Sequence, residues 1–117
     1  MTPEALQERM LKFGDTVLGL ADRLPQSFST RHIGRQLVRS STSIGANYTE
    51  AQGAESKADF IHKLQIALKE CRESHYWLRL LFVRRTTGVP MLTELLREST
   101  ELTAILSKAV VTAKSRP

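Results

Sequence analysis

The sequence contains a single cysteine, few prolines and glycines, and no long apolar run. Cys71 has no second cysteine to pair with, so no disulfide forms within the chain. No apolar stretch approaches the ~20 residues that a membrane-spanning helix needs. The acidic start around Glu4 also lacks the apolar segment of a secretory signal peptide. These absences predict a cytoplasmic protein with no membrane partner.

The composition is that of one ordinary globular domain, with 41% hydrophobic and 25% charged residues in a chain of 117. A domain of this size buries roughly two thirds of its unfolded surface and folds without disulfides or metals. Lysine and arginine number 17 against 12 acidic residues, a net charge of +5. Such an excess favours acidic partners such as nucleic acid, but it is common in proteins that bind none.

Apolar residues recur every three or four positions along four segments, which indicates four amphipathic helices. Breaks near Pro25, Gly53 and Gly88 predict helices over residues 3–24, 30–52, 57–86 and 90–112 of a single domain, 1–117. Short connections favour an all-α, antiparallel, up-down-up-down four-helix bundle. The predicted core positions are Leu6, Met10, Phe13, Val17, Leu20 and Leu24; Ile33, Leu37, Ser40, Ile44, Asn47 and Tyr48; Phe60, Leu64, Ala67, Cys71, Ser74, Leu78 and Phe82; and Leu92, Leu95, Leu96, Ser99, Leu102, Leu106 and Val110.

A second set of apolar side chains lies away from these core stripes. It consists of Leu11, Leu18, Ile66, Trp77 and Leu80. One interpretation is that the core of a small bundle is wide enough to absorb them. The other is a subunit interface, since contiguous exposed apolar patches usually mark contacts. We favour an oligomer that has Trp77 as the anchor of its interface.

Three arginines form a ridge on the second helix. Arg31, Arg35 and Arg39 are four residues apart and lie largely opposite the core stripe. The ridge is either a solvated helix face or, repeated in an oligomer, a surface for the phosphates of RNA or DNA. The ridge has no aromatic residue suited to base stacking, so any binding is expected to be non-specific and salt-sensitive.

Small polar residues follow one flank of the second helix and form a predicted polar seam against the third. The seam consists of Ser40, Ser43, Asn47, Glu50 and Lys57. Either Lys57 or Lys63 is available to pair with Glu50. A polar seam fixes which helices meet and in what register, at some cost in stability. The alternative interpretation is a ligand or partner site.

No catalytic, cofactor or metal site is predicted. A di-iron bundle needs paired Glu-x-x-His motifs, and the sequence has none. His62 and His75 are too far apart along one helix to share a metal, and His32 has no partner at a suitable spacing. Cys71 lies on a core stripe, where a buried thiol is the usual occupant rather than a nucleophile. No Gly-rich phosphate loop occurs, so neither an enzyme nor a small-molecule substrate is indicated.

About half of the chain resembles a known bacterial family. The matching motifs are Leu24-Pro25, Arg31 to Leu37, RSSTSIGANYTEA over residues 39–51, ESKADF over residues 55–60, and ALKE over residues 67–70. They resemble the four-helix-bundle proteins first noticed in intervening sequences of large-subunit ribosomal RNA genes and once misnamed ribosomal proteins. The family pattern falls, with no assigned catalytic role, on Arg39, Ser40, Ser43, Ile44, Asn47, Glu50, Lys57, Phe60 and Glu70.

The resemblance implies a ring-like homopentamer with no established enzymatic activity. A related branch, the accessory variability proteins of diversity-generating retroelements, is similar in fold and ring and binds nucleic acid and a reverse transcriptase. We therefore expect a non-enzymatic, homo-oligomeric scaffold or accessory protein, with itself as the main partner and no cofactor. Non-specific binding of nucleic acid is the alternative.

Overall fold

The computed structural model describes residues 1–86 and 89–117, with residues 89 and 90 described in their backbone only, and these residues form four helices and no strand. The helices are α1 (Pro3–Asp22), α2 (Phe28–Gln52), α3 (Lys57–Val83) and α4 (Val89–Ser115). The predicted all-α class is therefore confirmed for this part of the chain. The predicted break at Gly88 lies outside the described residues.

The first three helices begin where a hydroxyl side chain caps the free backbone N–H groups of the first turn. Thr2 accepts from the N–H of Ala5 at 3.0 Å, and Ser56 accepts from the N–H of Asp59 at 3.0 Å. Ser27 and Thr30 form a reciprocal capping box. Because Ser27 is the cap, α2 begins at Phe28, two residues earlier than predicted.

Two helices end earlier than predicted. The residue before a proline is disfavoured in the α region; ahead of Pro25, α1 stops at Asp22, and its last carbonyls accept from Arg23 and Leu24. At the end of α3, the N–H of Thr86 reaches back to the carbonyl of Leu81 at 3.1 Å. Arg85 adopts the left-handed conformation that this closure needs, with φ at 55°.

The helices run antiparallel to their neighbours in sequence. Ser74 of α3 meets Ser40 of α2, while Lys63, earlier in α3, meets Glu50, later in α2. α1 packs on α2 and α4, and α3 packs on the same two helices, whereas α1 and α3 do not pack on each other. The helices therefore stand at the corners of a square, in a molecule 49 Å long and 20 Å across. We name each side of the square by its two helices.

The core contains nearly all the predicted positions. The main error is Phe82, which is 46% exposed, whereas the adjacent Leu81 is fully buried. The buried stripe of α3 advances in steps of four and three from Ser74 through Leu78, which brings Leu81 inward. Three predicted core residues are only partly buried, namely Asn47, Phe60 and Leu96.

Small residues allow the helices to approach closely. The hydroxyl of Ser74 donates to that of Ser40 at 2.9 Å in the core between α2 and α3. Between α1 and α2, a Cβ added at Gly45 would lie 3.4 Å from the Cβ of Met10, at van der Waals contact, so the two helices meet closely there. Every buried side-chain nitrogen or oxygen of the described residues has a hydrogen-bond partner, as a stable core requires.

An ion pair that sequence patterns did not reveal joins α1 to α4. Arg9 binds Glu98 through two hydrogen bonds of 2.6 and 2.7 Å, and it also reaches Glu101 at 2.7 Å. The hydrogen bond to Glu98 raises the pKa of the Arg9 guanidinium above its usual range. These hydrogen bonds join α1 to α4, the two neighbouring helices with the least packing between them.

The end of α3 yields a stability prediction. Arg85 has a side chain in a conformation that costs an L-residue about 1–2 kcal/mol, and glycine avoids this cost. Arg85→Gly should raise the free energy of unfolding by about 1 kcal/mol in urea denaturation. Arg84→Gly is the matched control, because Arg84 has an ordinary φ of −77°. A variant of Arg85 no more stable than the parent would contradict this account.

Candidate interaction surfaces

The side of the bundle between α1 and α2 has an open apolar groove. The groove has a volume of about 560 Å³, and its lining includes Gly14, Gly45 and Ala46, whose small size leaves the space open. Leu11 and Leu18 also line it, and they are 66% and 41% exposed. Two of the predicted interface residues therefore lie together on this side.

The other predicted interface residues lie on the side between α2 and α3. Trp77 and Leu80 are partly buried against the core, and Ile66 is partly exposed on the same flank of α3. The indole of Trp77 packs edge-on against His32 of α2, with ring centres 5.9 Å apart. The interface residues predicted as one set are thus divided between two adjacent sides, and α2 belongs to both.

The indole N–H of Trp77 is already satisfied within the chain. It donates to Glu73 at 3.0 Å, and Glu73 also binds the guanidinium of Arg39. The hydrogen bond from Trp77, followed by that from Arg39, lowers the pKa of the Glu73 carboxyl. Arg39 also contacts Glu70 at 3.1 Å. Trp77 therefore belongs to a network that joins α2 to α3, besides any part it has in an interface.

The three arginines of the predicted ridge have different environments. Arg39 is held by Glu70 and Glu73, and its hydrogen bond with Glu73 raises its pKa. Arg31 and Arg35 are exposed and have no carboxylate partner within the described residues. Both line a second open groove, of about 490 Å³, on the α1–α2 side. The unpaired charge of the ridge thus comes from Arg31 and Arg35.

An aromatic side chain accompanies the ridge after all. Phe28 is 86% exposed and lies seven residues before Arg35, which puts both on the outer face of α2. The expectation of a ridge without aromatic residues was wrong because α2 begins two residues earlier than predicted. The signal was present in the sequence as the Ser27 and Thr30 capping pair.

The predicted polar seam crosses to α3 at two of its positions. Ser40 binds Ser74, and Glu50 pairs with Lys63 at 2.8 Å. Lys57 does not belong to the seam, because its ammonium group binds the main-chain carbonyl of Arg116. The remaining two seam residues, Ser43 and Asn47, bond to main-chain carbonyls of α2 itself.

A histidine, a serine and a cysteine meet between α3 and α4, a combination that invites an enzymatic interpretation. Nδ1 of His75 lies 2.7 Å from the hydroxyl of Ser99, and with that hydroxyl donating to the carbonyl of Leu96 at 2.9 Å, the histidine tautomer protonated at Nδ1 is the donor. A histidine that activates a serine must instead accept the serine proton. Burial raises the pKa of the Cys71 thiol, which keeps this thiol protonated and weakly nucleophilic. The contacts therefore hold the helices together rather than activate a nucleophile.

Neither a metal cluster nor a membrane span is found among the described residues. They contain no group of three or more histidine, cysteine, aspartate or glutamate side chains placed to hold a metal ion. None of their helices is both long and apolar enough to cross a membrane.

Comparison with known proteins agrees with the motifs and the four-helix fold. A family model described as 23S rRNA-intervening sequence protein matches residues 5–108. The chain belongs to this family. The family resemblance found in the sequence is therefore confirmed.

The chain is also similar to a solved structure. A Bacteroides thetaiotaomicron protein of unknown function from the S23 ribosomal protein family shares 35% sequence identity, with a TM-score of 0.84. The similarity covers 94% of this chain and 98% of that one. A search of curated proteins found no match. Neither the family description nor that of the similar structure names an enzymatic activity.

The partly buried His75 makes the stability of this protein depend on pH. Burial, followed by the charge of Arg79, lowers the pKa of His75, so the folded state binds a proton there less readily than the unfolded chain. The contribution of His75 to the free energy of unfolding is fully present above the pKa of a histidine in the unfolded chain, about 6.5. This contribution is lost as the pH drops below that value. Denaturant titrations between pH 7.5 and 5 should show this loss, and His75→Gln should reduce it. The exposed His62→Gln is the control, and an equal reduction there would contradict the assignment.

Proposed function

We propose that this protein is a non-enzymatic, homo-oligomeric helical bundle that acts as a scaffold or accessory factor. Five subunits is the number implied by the motif resemblance. The observation that supports the proposal is the apolar surface on two adjacent sides of the bundle, carried by Leu11 and Leu18 on one side and by Ile66, Trp77 and Leu80 on the other.

The groove on the α1–α2 side is the stronger part of this argument. A leucine alone on a surface is ordinary, but two leucines beside a groove of small residues make a contiguous apolar patch. Burying such a patch contributes roughly 25 cal/mol for each Å² removed from water. The groove contains polar side chains at its rim, including Thr42 and Thr49, in keeping with the anatomy of interfaces between folded subunits.

The test is the solution mass of the protein by light scattering after size exclusion. The parent should be an oligomer, and Leu11→Asp combined with Leu18→Asp should be a monomer, because two carboxylates cannot enter a dry contact without a large cost. Val111→Asp is the matched control, since Val111 is 67% exposed on α4, and it should keep the parent mass. All three proteins should keep the same helical circular dichroism. A monomeric parent at micromolar concentration would refute the proposal.

A second candidate function is non-specific binding of RNA or DNA. The observation that favours it is the pair Arg31 and Arg35, which lack carboxylate partners and line an open groove. Arginines without a carboxylate partner are available to contact phosphates, and each phosphate contact releases a counterion on binding. The exposed Phe28 adds a surface on which a base can stack.

Binding should weaken steeply with salt. Arg31→Glu with Arg35→Glu should reduce the affinity for single-stranded DNA by at least about tenfold at low salt and flatten the salt dependence. Arg79→Glu makes the same kind of charge change on α3 and should have a smaller effect. Fluorescence anisotropy of a labelled oligonucleotide at 50 and 200 mM salt measures both quantities. No binding of the parent even at 50 mM salt would exclude this function.

A further inference from the structure

We infer that the side of the bundle between α3 and α4 binds a small anion that carries a phosphate group. The site is an open cavity of about 340 Å³ lined by Arg72 and His75 of α3 and by Thr100 and Thr103 of α4. This cavity lies on neither of the two apolar sides, so the inference does not depend on the proposed homo-oligomeric function.

The acidic residues of α3 and α4 all lie on other sides of the bundle. They are Asp59, Glu70, Glu73, Glu94, Glu98 and Glu101. Arg39 of α2 binds two of those on α3, and Arg9 of α1 binds two of those on α4. The helix repeat places Asp59 and Glu94 on the same faces as the pairs that these arginines hold. The middle of the α3–α4 side is therefore left without a carboxylate among the residues described.

Basic side chains occupy this side instead. Arg72, His75 and Arg79 follow one another at three and four residues, which puts them on one face of α3. The contact of His75 with Ser99 turns that face toward α4. Both arginines are exposed, and neither binds a carboxylate at salt-bridge distance in the described part of the chain. An anion that enters here meets two guanidinium groups without competition from an acidic side chain.

The imidazole of His75 adds a group that can bind a proton. Its Nδ1 contacts Ser99, and its Nε2 has no hydrogen-bond partner among the described residues. The groups around the ring carry no negative charge; they are Cys71, Arg72, Arg79, Ser99, Thr100 and Thr103. Burial and then the charge of Arg79 lower the pKa of His75, and a bound anion opposes that charge. The cavity should therefore take up an anion and a proton together.

A phosphate group suits these donors better than a carboxylate does. The hydroxyls of Thr100 and Thr103 already donate to main-chain carbonyls of α4, at 3.0 and 2.7 Å, so Arg72 and protonated His75 are the free donors. A guanidinium binds phosphate through two parallel hydrogen bonds, and a phosphate carries close to two negative charges where a carboxylate carries one. The cavity volume is at the lower end of the ~300–1,000 Å³ typical of small-molecule sites, which suits a small ligand.

Nuclear magnetic resonance of the histidine side chains tests the site, with inorganic phosphate as the probe. Phosphate should shift the ring resonances of His75 and raise its pKa, because a bound anion favours the protonated ring. The exposed His62 on the same helix is an internal control, and its resonances should stay in place. Equal shifts of both histidines would indicate an adventitious ion only and would overturn the site.

Substitution of the arginine tests the main donor. Arg72→Gln should weaken the binding of phosphate at least about tenfold, because it removes charged hydrogen bonds to the anion. Arg97→Gln is the matched control on α4, since the guanidinium of Arg97 lies 3.9 Å from Glu101, away from the cavity. Isothermal titration calorimetry measures both affinities. An affinity of Arg72→Gln equal to that of the parent would overturn the inference.

Sulfate separates the titration of His75 from that of the ligand, because sulfate keeps two negative charges over the pH range used. Its affinity should rise at least about threefold from pH 7.5 to pH 6, since the anion binds the protonated ring more tightly. His75→Gln should remove this rise and leave the contribution of Arg72. An affinity of the parent for sulfate that is the same at both pH values would refute His75 as a ligand of the anion.

The remaining outcomes identify the source of the phosphate and separate this inference from the proposed function. Tighter binding of phenyl phosphate than of inorganic phosphate would identify a phosphate monoester as the ligand, and weaker binding would identify the bare anion. An oligodeoxythymidine that shifts His75 as phosphate does would overturn the small ligand. A monomeric parent that binds phosphate at His75 would refute the homo-oligomeric function and leave the anion site standing.

Discussion

The register of α2 against α3 depends on the buried hydrogen bond between Ser40 and Ser74. Only small side chains allow the two helices to meet at this distance, and a slip of one turn would separate the Ser74 hydroxyl from Ser40, which itself donates to the carbonyl of Leu37 at 3.2 Å. The same register brings Arg39 beside Glu73 and Trp77 beside His32. The contacts on the α2–α3 side are therefore consequences of one small polar pair in the middle of the bundle.

The other sides of the bundle are held in different ways, and this explains where free surface remains. α1 and α4 are joined at their exposed edge by the bidentate pair of Arg9 and Glu98. α1 and α2 instead meet through small residues near Gly45, with no ion pair across their outer edge among the described residues. Where small residues let two helices approach closely, as between α1 and α2, a groove stays open along their outer edge. Where long charged side chains join two helices, as between α1 and α4, these side chains cover that edge.

Sequence periodicity predicted the helices and most of the core, because burial on one face imposes a spacing of three and four residues. It placed Phe82 inward because one step of four was assumed where the helix takes a step of three to Leu81. Periodicity also could not find the pair of Arg9 and Glu98, which are far apart in sequence and have no local signature. It grouped Leu11 with Trp77 because it cannot say which neighbour each helix edge faces.

Trp77 is the only tryptophan of the chain, and its indole lies at the edge of the bundle against a carboxylate and two aromatic rings. Indole emission depends on the polarity around the ring and on nearby charge. The tryptophan fluorescence of this protein therefore comes from a single known place, the α2–α3 side. A change in the emission of Trp77 therefore reports binding at the α2–α3 side without a label or a substitution.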